Sequence, residues 1–235
     1  MQVKILTGYP DIFPGALNHS VVGNALKKNI WSLEVINLHD FSYDQRKSID
    51  DEPFGGGPGM IIRPDIVEKA LLSIKYEENI NRKLVYLTPS GKSLNQIKLA
   101  EYSQLDQLII LCGRFEGVDQ RVVKALNFEE ISIGDYVLAG GEIPAQVLVE
   151  GCIRLLPGVL GQSKSLLEES FSNNLLEYPQ YTRPQVWKDI RNNEHEVPKV
   201  LLSGHHEKIK QWRLDQSVKK TKLNRPDLIE KKKKE

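Results

Sequence analysis

Three glycine-rich turns, at residues 54–59, 111–117 and 132–142, are the features of this sequence with the clearest chemical potential. Glycine lets the backbone approach a ligand closely and adopt dihedral angles that other residues avoid. Apolar residues lead into the third turn and Pro144 follows it, which is typical of a strand end followed by a helix start. This pattern predicts a pocket walled by main-chain atoms, in which loops hold a cofactor or a substrate.

Charged residues near the middle of the chain are candidates for acid–base chemistry. Arg154 lies at the end of an apolar helical pattern, where an arginine commonly reaches solvent or pairs with a carboxylate. Glu168 and Glu169 follow in a polar stretch, where they also fit two solvated charges. A carboxylate can serve as a general base and a guanidinium can stabilise developing negative charge. The residue types by themselves leave both interpretations open.

The sequence argues against several common kinds of site. Residues 88–93 imitate the end of a Walker A loop, but Tyr86 stands where that loop requires a glycine, five residues before Gly91. The five histidines and two cysteines show no zinc-ligand spacing, and no Gly-x-Ser-x-Gly nucleophile elbow occurs. A nucleotide hydrolase is therefore a weakened alternative, and residues 88–93 are better explained as a polar turn between a strand and a helix that lines a pocket.

The elements that must position these turns alternate between strand and helix. Short apolar runs predict strands at residues 3–7, 33–38, 84–88, 108–112 and 130–133. Helical periodicity after proline, serine or glycine predicts helices at residues 16–28, 65–76, 94–102, 118–126 and 144–155. Such alternation indicates an α/β fold with a mostly parallel sheet covered on both faces.

The last third of the chain has a different character. Residues 157–183 are polar and irregular, and a loop of that length inside a compact protein is usually functional or a linker. Beyond it we expect the chain to be helical again, most clearly over residues 205–223. Residues 199–235 contain 12 Lys/Arg and 5 Asp/Glu, a net +7, whereas residues 1–198 contain 20 and 26, a net −6. The basic end indicates contact with a polyanion, although the lysine run 231–234 alone is typical of a solvated tail.

The composition is that of an ordinary water-soluble protein, with 40% hydrophobic and 27% charged residues. No apolar run approaches the roughly 20 residues that span a bilayer. The N-terminus begins like a strand and not like a signal peptide. Cys112 and Cys152 are expected to be reduced and buried. We therefore predict a cytoplasmic protein with no membrane partner.

Motifs along nearly the whole chain resemble the TrmD family of bacterial tRNA (guanine-N1)-methyltransferases, in the family's order. The matching segments are residues 54–60, 111–117, 132–138, 157–161, 178–184, 201–205 and 212–213. The resemblance implies a SPOUT-type α/β fold, whose mostly parallel sheet is followed by a deep C-terminal trefoil knot and a small helical domain. Threaded chains are rare exceptions to the rule of unknotted connections. We accordingly expect a knotted cofactor-binding domain over residues 1–160, a flexible linker over 161–183, and a basic helical tRNA-binding domain over 184–235.

The resemblance also implies a reaction. S-adenosyl-L-methionine is bound in the knot loops, and its methyl group goes to N1 of the guanosine at tRNA position 37, just 3′ of the anticodon. The family is a homodimer whose active sites are shared between subunits, so tRNA and a second copy of the chain are the expected partners. The residues that it assigns to the cofactor are Tyr86, Leu87, Thr88, Pro89, Gly113, Glu116, Ile133, Gly134, Tyr136, Leu138, Gly140 and Gly141. Those that it assigns to the tRNA substrate are Gly59, Ser165, Ser170, Glu177 and Arg183.

Two residues match the family's catalytic groups. Glu169, in the linker, matches the general base that removes the N1 proton, and Arg154 matches an arginine that would stabilise negative charge on guanine O6. Glu169 and Glu177 stand where the family has aspartates, Phe115 replaces a tyrosine and loses its hydroxyl, and Asn174 stands where glycine is common. The family is described as assisted by Mg²⁺, but the sequence offers no dedicated cluster of metal ligands.

Two further alternatives stay open beside this interpretation. The first is a related SPOUT methyltransferase that acts on another RNA, which residues 178–184 and the C-terminal helical pattern argue against. The second is a noncatalytic RNA-binding protein with a degenerate pocket, because Glu169 departs from the family's aspartate. Calorimetry with S-adenosyl-L-methionine separates them, since a degenerate pocket releases no heat.

Overall fold

The computed structural model describes residues 1–75, 77–161, 169–171 and 173–231. By its internal contacts the chain divides into two units, Met1–Gly161 and Gln162–Glu235. Each unit is built around its own elements. No helix of the described residues is long and apolar enough to cross a membrane.

A five-stranded parallel sheet forms the centre of the first unit. The strands of the described residues in this unit are β1 (Gln2–Thr7), β2 (Ser32–Asn37), β3 (Asp50–Asp51), β4 (Ile61–Ile62), β5 (Arg82–Ser93), β6 (Gln107–Cys112) and β7 (Glu129–Ser132). The sheet order is β2-β1-β6-β5-β7, and every neighbouring pair is parallel, while β3 and β4 form a separate antiparallel pair. β6 is buried along its whole length, as a continuous apolar run in the middle of a parallel sheet must be.

Helices cover both faces of this sheet. In the first unit they are α1 (Ser20–Lys27), α2 (Pro64–Leu72), α3 (Gln96–Tyr102), α4 (Gln120–Ala125) and α5 (Glu142–Ile153). Alternate residues of β6 enter different cores: Ile110 packs in the cluster that holds residues of α1 and α5, and Ile109 in the cluster that holds residues of α2 and α4. The predicted α/β fold, with a mostly parallel sheet between two helical layers, is confirmed. The two cysteines are buried, as expected.

Local sequence explains where the helices start. Pro64 is the first residue of α2, where its fixed φ suits a helix and its missing N–H costs nothing. The Asn95 side chain accepts a hydrogen bond from Lys98 N at 2.9 Å and so caps α3, and Asp119 caps α4 in the same way. The predicted helix over residues 16–28 is wrong at its start, because Gly15–Asn18 form a separate 3₁₀ turn before α1.

The second unit begins its regular structure with a hairpin. β8 (Val186–Lys188) pairs antiparallel with β9 (Glu194–Glu196), and α6 (Lys199–Leu202), α7 (His206–Asn224) and α8 (Pro226–Lys231) follow. The expectation of helix directly after residue 184 is therefore wrong. The Asp189 carboxylate accepts hydrogen bonds from the Arg191 and Asn193 main-chain N–H groups, which closes a turn instead of starting a helix. α7 confirms the helix predicted over residues 205–223.

Candidate active site

A cavity of about 260 Å³ lies at the carboxyl ends of β5, β6 and β7 in the first unit. Ligands of open α/β sheets bind at this edge, because the loops that follow parallel strands converge there. Every residue that was predicted to bind the cofactor lines this cavity: Tyr86, Leu87, Thr88, Pro89, Gly113, Glu116, Ile133, Gly134, Tyr136, Leu138, Gly140 and Gly141. Phe115, one of the departures from the family pattern, lines it as well.

The first wall comes from an irregularity in β5. Leu87 pairs with Ile131 of β7, and Lys92 then pairs with Ile131 again, so the residues between them leave the regular ladder. Thr88 and Pro89 of this bulge line the cavity. A Cβ atom on Gly91 would lie 2.4 Å from Ile131 N, so the return to the ladder requires glycine. The polar turn predicted here lines the pocket but belongs to a strand that continues to Ser93.

The second and third walls touch each other through glycines. Gly141 N donates to Gly113 O at 2.9 Å, and a Cβ atom on Gly141 would lie 2.8 Å from Cys112 Cα. The Tyr86 ring fills the space beside Gly113, where an added Cβ would lie 2.9 Å from the ring. Burial raises the pKa of the Tyr86 hydroxyl, which therefore stays protonated at neutral pH. Glycine at these positions therefore lets the second and third walls pack directly against each other and against the Tyr86 ring.

A buried ion pair supports the wall behind Gly140. Glu142, the first residue of α5, is 1% exposed, and its Oε2 lies 2.9 Å from Arg114 Nε. Thr7 Oγ1, at the end of β1, donates to Glu142 Oε1 at 2.7 Å. The Arg114 guanidinium also donates to Ala139 O at 3.3 Å. The pair thus ties the loop after β6 to the turn before α5 and to the end of β1.

Sequence reasoning missed this ion pair. Its signal is a pair of opposite charges in the second and third glycine-rich turns, Arg114 and Glu142, but they stand 28 residues apart. Their pairing depends on the neighbouring positions of the carboxyl end of β6 and the start of α5 in the fold.

The loop that carries Gly59 lies against the edge of the cavity. A Cβ atom on Gly59, whose φ is +85°, would lie 2.5 Å from Glu116 Cγ, and Glu116 N donates to Met60 O at 3.0 Å. The structure therefore brings Gly59 beside Glu116, as a shared site requires. Phe54, at the start of the same loop, is 97% exposed.

The remaining predicted site residues lie elsewhere. Arg154 ends α5, is half-buried and is not among the residues that line the first cavity. In the second unit Ser170 Oγ accepts a hydrogen bond from Glu177 N at 3.0 Å, so these two predicted substrate residues are neighbours. Glu169 precedes them and is half-buried. The predicted Ser165 lies outside the described residues, and so does Glu168.

Metal binding has no visible basis in the described part of the chain. No group of three or more His, Cys, Asp or Glu side chains among those residues is arranged to hold an ion. The first unit therefore offers a loop-walled cavity with main-chain donors and acceptors, aromatic and apolar side chains, and the Glu116 carboxylate. This is the architecture of a ligand-binding α/β enzyme domain.

Comparison with known proteins identifies the kind of enzyme. The family model described as tRNA (Guanine-1)-methyltransferase TrmD matches residues 1–231. A protein of Pelagibacter ubique (strain HTCC1062) named tRNA (guanine-N(1)-)-methyltransferase is 50% identical over 233 residues, 99% of each chain. Proteins of the same name from Ehrlichia canis (strain Jake) and Rhodospirillum rubrum are 47% and 48% identical, over 98% and 97% of this chain and 96% and 92% of theirs.

These matches show that the protein is a methyltransferase. The protein belongs to the TrmD family of tRNA (guanine-1)-methyltransferases, because the family model covers nearly all of the chain and the relatives are similar over their whole length. The predicted family is confirmed.

Proposed function

We propose that the protein transfers a methyl group from S-adenosyl-L-methionine to N1 of the guanosine at tRNA position 37, giving N1-methylguanosine. The observation that carries the proposal is that all the residues assigned to the cofactor by resemblance line one cavity at the carboxyl edge of the sheet. The names of the family and of the relatives supply the substrate. Since the substrate is tRNA, we place the reaction in the cytoplasm.

The residues of the cavity fit this methyl donor. Main-chain N–H and C=O groups of the loops on either side of the Gly141–Gly113 hydrogen bond can read the edge of an adenine without long side chains. The Glu116 carboxylate lines the same cavity, where it would favour the positive sulfonium end of the donor. When bound, the donor supplies an activated methyl group. The protein's contribution is to hold it in line with the attacking nitrogen, because placement accounts for much of the acceleration.

The attacking nitrogen needs a base. N1 of neutral guanine carries a proton, and its lone pair becomes available as that proton leaves. We propose that the Glu169 carboxylate accepts this proton. Glutamate extends one methylene further than the aspartate of the family pattern, so its backbone would have to lie correspondingly further from guanine N1. The hydrogen bond from Glu177 N to Ser170 Oγ supports this assignment, since it fixes the turn that follows Glu169.

Negative charge develops on guanine O6 as the proton leaves N1. We assign its stabilisation to the Arg154 guanidinium, which can form two parallel hydrogen bonds with oxygen acceptors. Gly59, Ser165, Ser170, Glu177 and Arg183 are the proposed contacts to the tRNA. The basic domain over residues 184–235, whose excess positive charge lies in residues 199–235, would hold the RNA backbone, with a strong dependence on salt.

We propose that two copies of the chain complete each active site. Arg154 belongs to the same unit as the first cavity but does not line it, which is what a site completed by a second subunit requires. Ile143 and Val147 stand one turn apart on α5 and are 57% and 47% exposed, so they give the second copy an apolar surface to cover. The proposed architecture is the SPOUT knot over residues 1–160, with residues 161–183 as the linker that orders when tRNA binds.

A methylation assay tests the proposal directly. Two tRNA transcripts that differ only in guanosine or adenosine at position 37 are incubated with the protein and isotope-labelled S-adenosyl-L-methionine, with and without a chelator of divalent metal ions. Nucleoside mass spectrometry should find N1-methylguanosine from the first transcript alone. Label at another position, or on both transcripts, would contradict the proposed target. Absence of heat on titration of the donor into the protein would support a noncatalytic RNA-binding protein instead.

A further inference from the structure

The second unit contains a cavity of its own, of about 510 Å³, for which the methyl-transfer chemistry gives no use. Residues 178–183 form one side of it, and residues of α6 and α7 form the other. Ile209, Trp212 and Arg213 are spaced three and four residues apart on α7, so they share one helix face. We call this cavity the aromatic groove.

Aromatic rings form the groove's most distinctive surface. The Tyr181 and Trp212 ring centroids are 6.2 Å apart and tilted by 57°. The Arg213 guanidinium lies 4.8 Å from the Tyr178 ring centroid. Tyr181 is 48% exposed and Trp212 is half-buried, so one ring stands at the surface above the other. An exposed ring backed by a second ring is a stable platform on which a planar group can stack.

The charge of the groove is positive. Arg183 and Arg213 line it, and none of its described lining residues is Asp or Glu. The chain from residue 199 to residue 235 carries a net +7. Aromatic rings that stack on bases, together with arginines that neutralise phosphates, are the means by which proteins hold unpaired nucleotides.

We propose that the aromatic groove binds an unpaired nucleotide of the tRNA other than the methylated guanosine. Its base stacks on Tyr181 above Trp212, and its phosphate pairs with Arg183. The inference rests on the proposed function only in taking tRNA as the substrate. It adds a second contact to an unpaired base, which holds the RNA through a nucleotide that takes no part in the reaction.

The hairpin of β8 and β9 offers a matched comparison. Trp187 is 56% exposed and stacks on His195, with ring centroids 5.2 Å apart. However, residues 186–196 contain three carboxylates and two basic side chains, so this aromatic surface lacks the positive charge that RNA requires. Trp187→Ala therefore controls for the loss of an exposed ring.

The test measures the affinity of the full-length chain for a tRNA transcript, by fluorescence anisotropy over a range of salt concentrations. Tyr181→Ala should weaken binding on the order of tenfold without changing the salt slope, because stacking releases no counterions. Tyr181→Phe and Trp187→Ala should bind like the wild type. Arg183→Ala should lower the salt slope by about one. Donor affinity and thermal melting, measured in parallel, should be unchanged in all four variants.

Wild-type tRNA affinity in Tyr181→Ala overturns the inference. If that variant also shifts in sedimentation velocity, the groove is a contact between copies of the chain instead. If the wild type fails to methylate tRNA, the proposed function itself is wrong. If it methylates tRNA and Tyr181→Ala does so equally well, with the same affinity for tRNA, only the aromatic groove is misassigned.

Discussion

The two cavities are built by opposite means. The walls of the first are closely packed main chain, since a Cβ atom on Gly113 or Gly141 would collide with the Tyr86 ring or with Cys112 Cα. The aromatic groove is built from large side chains that reach toward solvent. Main-chain walls suit a small ligand that must be held in one position, whereas exposed rings and guanidinium groups suit a flexible polymer. The difference fits the proposed roles, in which the first unit binds the methyl donor and the second binds RNA.

The largest effect should come from replacing the proposed base, which should lower turnover and leave donor affinity nearly unchanged. Glu169→Gln removes the proposed base but keeps the shape of the side chain, so methylation of tRNA should fall by about 10²–10⁴-fold. Donor affinity, measured by calorimetry, should stay within a factor of two or so. Glu196→Gln, an exposed carboxylate of the same unit, should behave like the wild type. Undiminished turnover in Glu169→Gln would exclude Glu169 as the base.

A methyl group added to the glycine wall of the first cavity should lower donor affinity and leave tRNA affinity unchanged. Gly141→Ala puts a Cβ atom 2.8 Å from Cys112 Cα, and such overpacking costs about 1–3 kcal/mol. The wall must move to relieve this strain, and donor binding must move it back, so donor affinity should fall by about 10–100-fold while tRNA affinity is unchanged. Gly161→Ala is the matched control, because no described residue lies within 4 Å of its added Cβ. Equal donor affinity in both variants would show that the glycine wall does not shape the binding site.

The buried ion pair between Arg114 and Glu142 should contribute to the stability of the first unit. Glu142→Gln leaves the Arg114 guanidinium without its carboxylate, and breaking a buried pair costs about 3–5 kcal/mol. Urea unfolding should show a loss of this order. Glu34→Gln, which breaks a pair whose glutamate is 56% exposed, should cost less than about 1 kcal/mol. Similar losses in the two variants would mean that the pair behind Gly140 contributes no more than a surface contact.

The smallest effect concerns the hairpin that serves as the control surface. Hydrogen bonds from the Asn193 side chain and main chain, and from His195, lower the pKa of Asp189 from 3.8 to about 2. Because the pKa of Asp189 is lower in the folded protein than in the unfolded chain, its ionised carboxylate stabilises the folded hairpin at pH values above about 3.8. This stabilisation is lost as the pH falls from about 3.8 toward 2. The NMR chemical shifts of the Arg191 and Asn193 amides should change over the same pH range. The same titration in Asp189→Asn should be flat, and a persistent transition there would assign it to another group.

Sequence patterns predicted the layers of the first unit and the walls of its cavity well. Short continuous apolar runs such as residues 108–112 are typical of buried strands, and glycines at strand ends mark loops that pass close to other main chain. The Arg114–Glu142 pair could not be predicted, because it joins residues distant in sequence. The continuation of β5 through Pro89 and Gly91 escaped detection because both residues usually end a strand. The hairpin over residues 186–196 is short and polar, so its pattern did not differ from that of a helix.

A crystal structure with S-adenosyl-L-methionine bound to the protein tests the central claim most directly. The donor should lie between the stretch Tyr86–Pro89 of β5, Gly113, and the loop from Ile133 to Gly141. Its methyl group should face the open side of the cavity, next to Glu116. A donor bound elsewhere, or a nucleoside triphosphate preferred in this cavity in a competition soak, would contradict it.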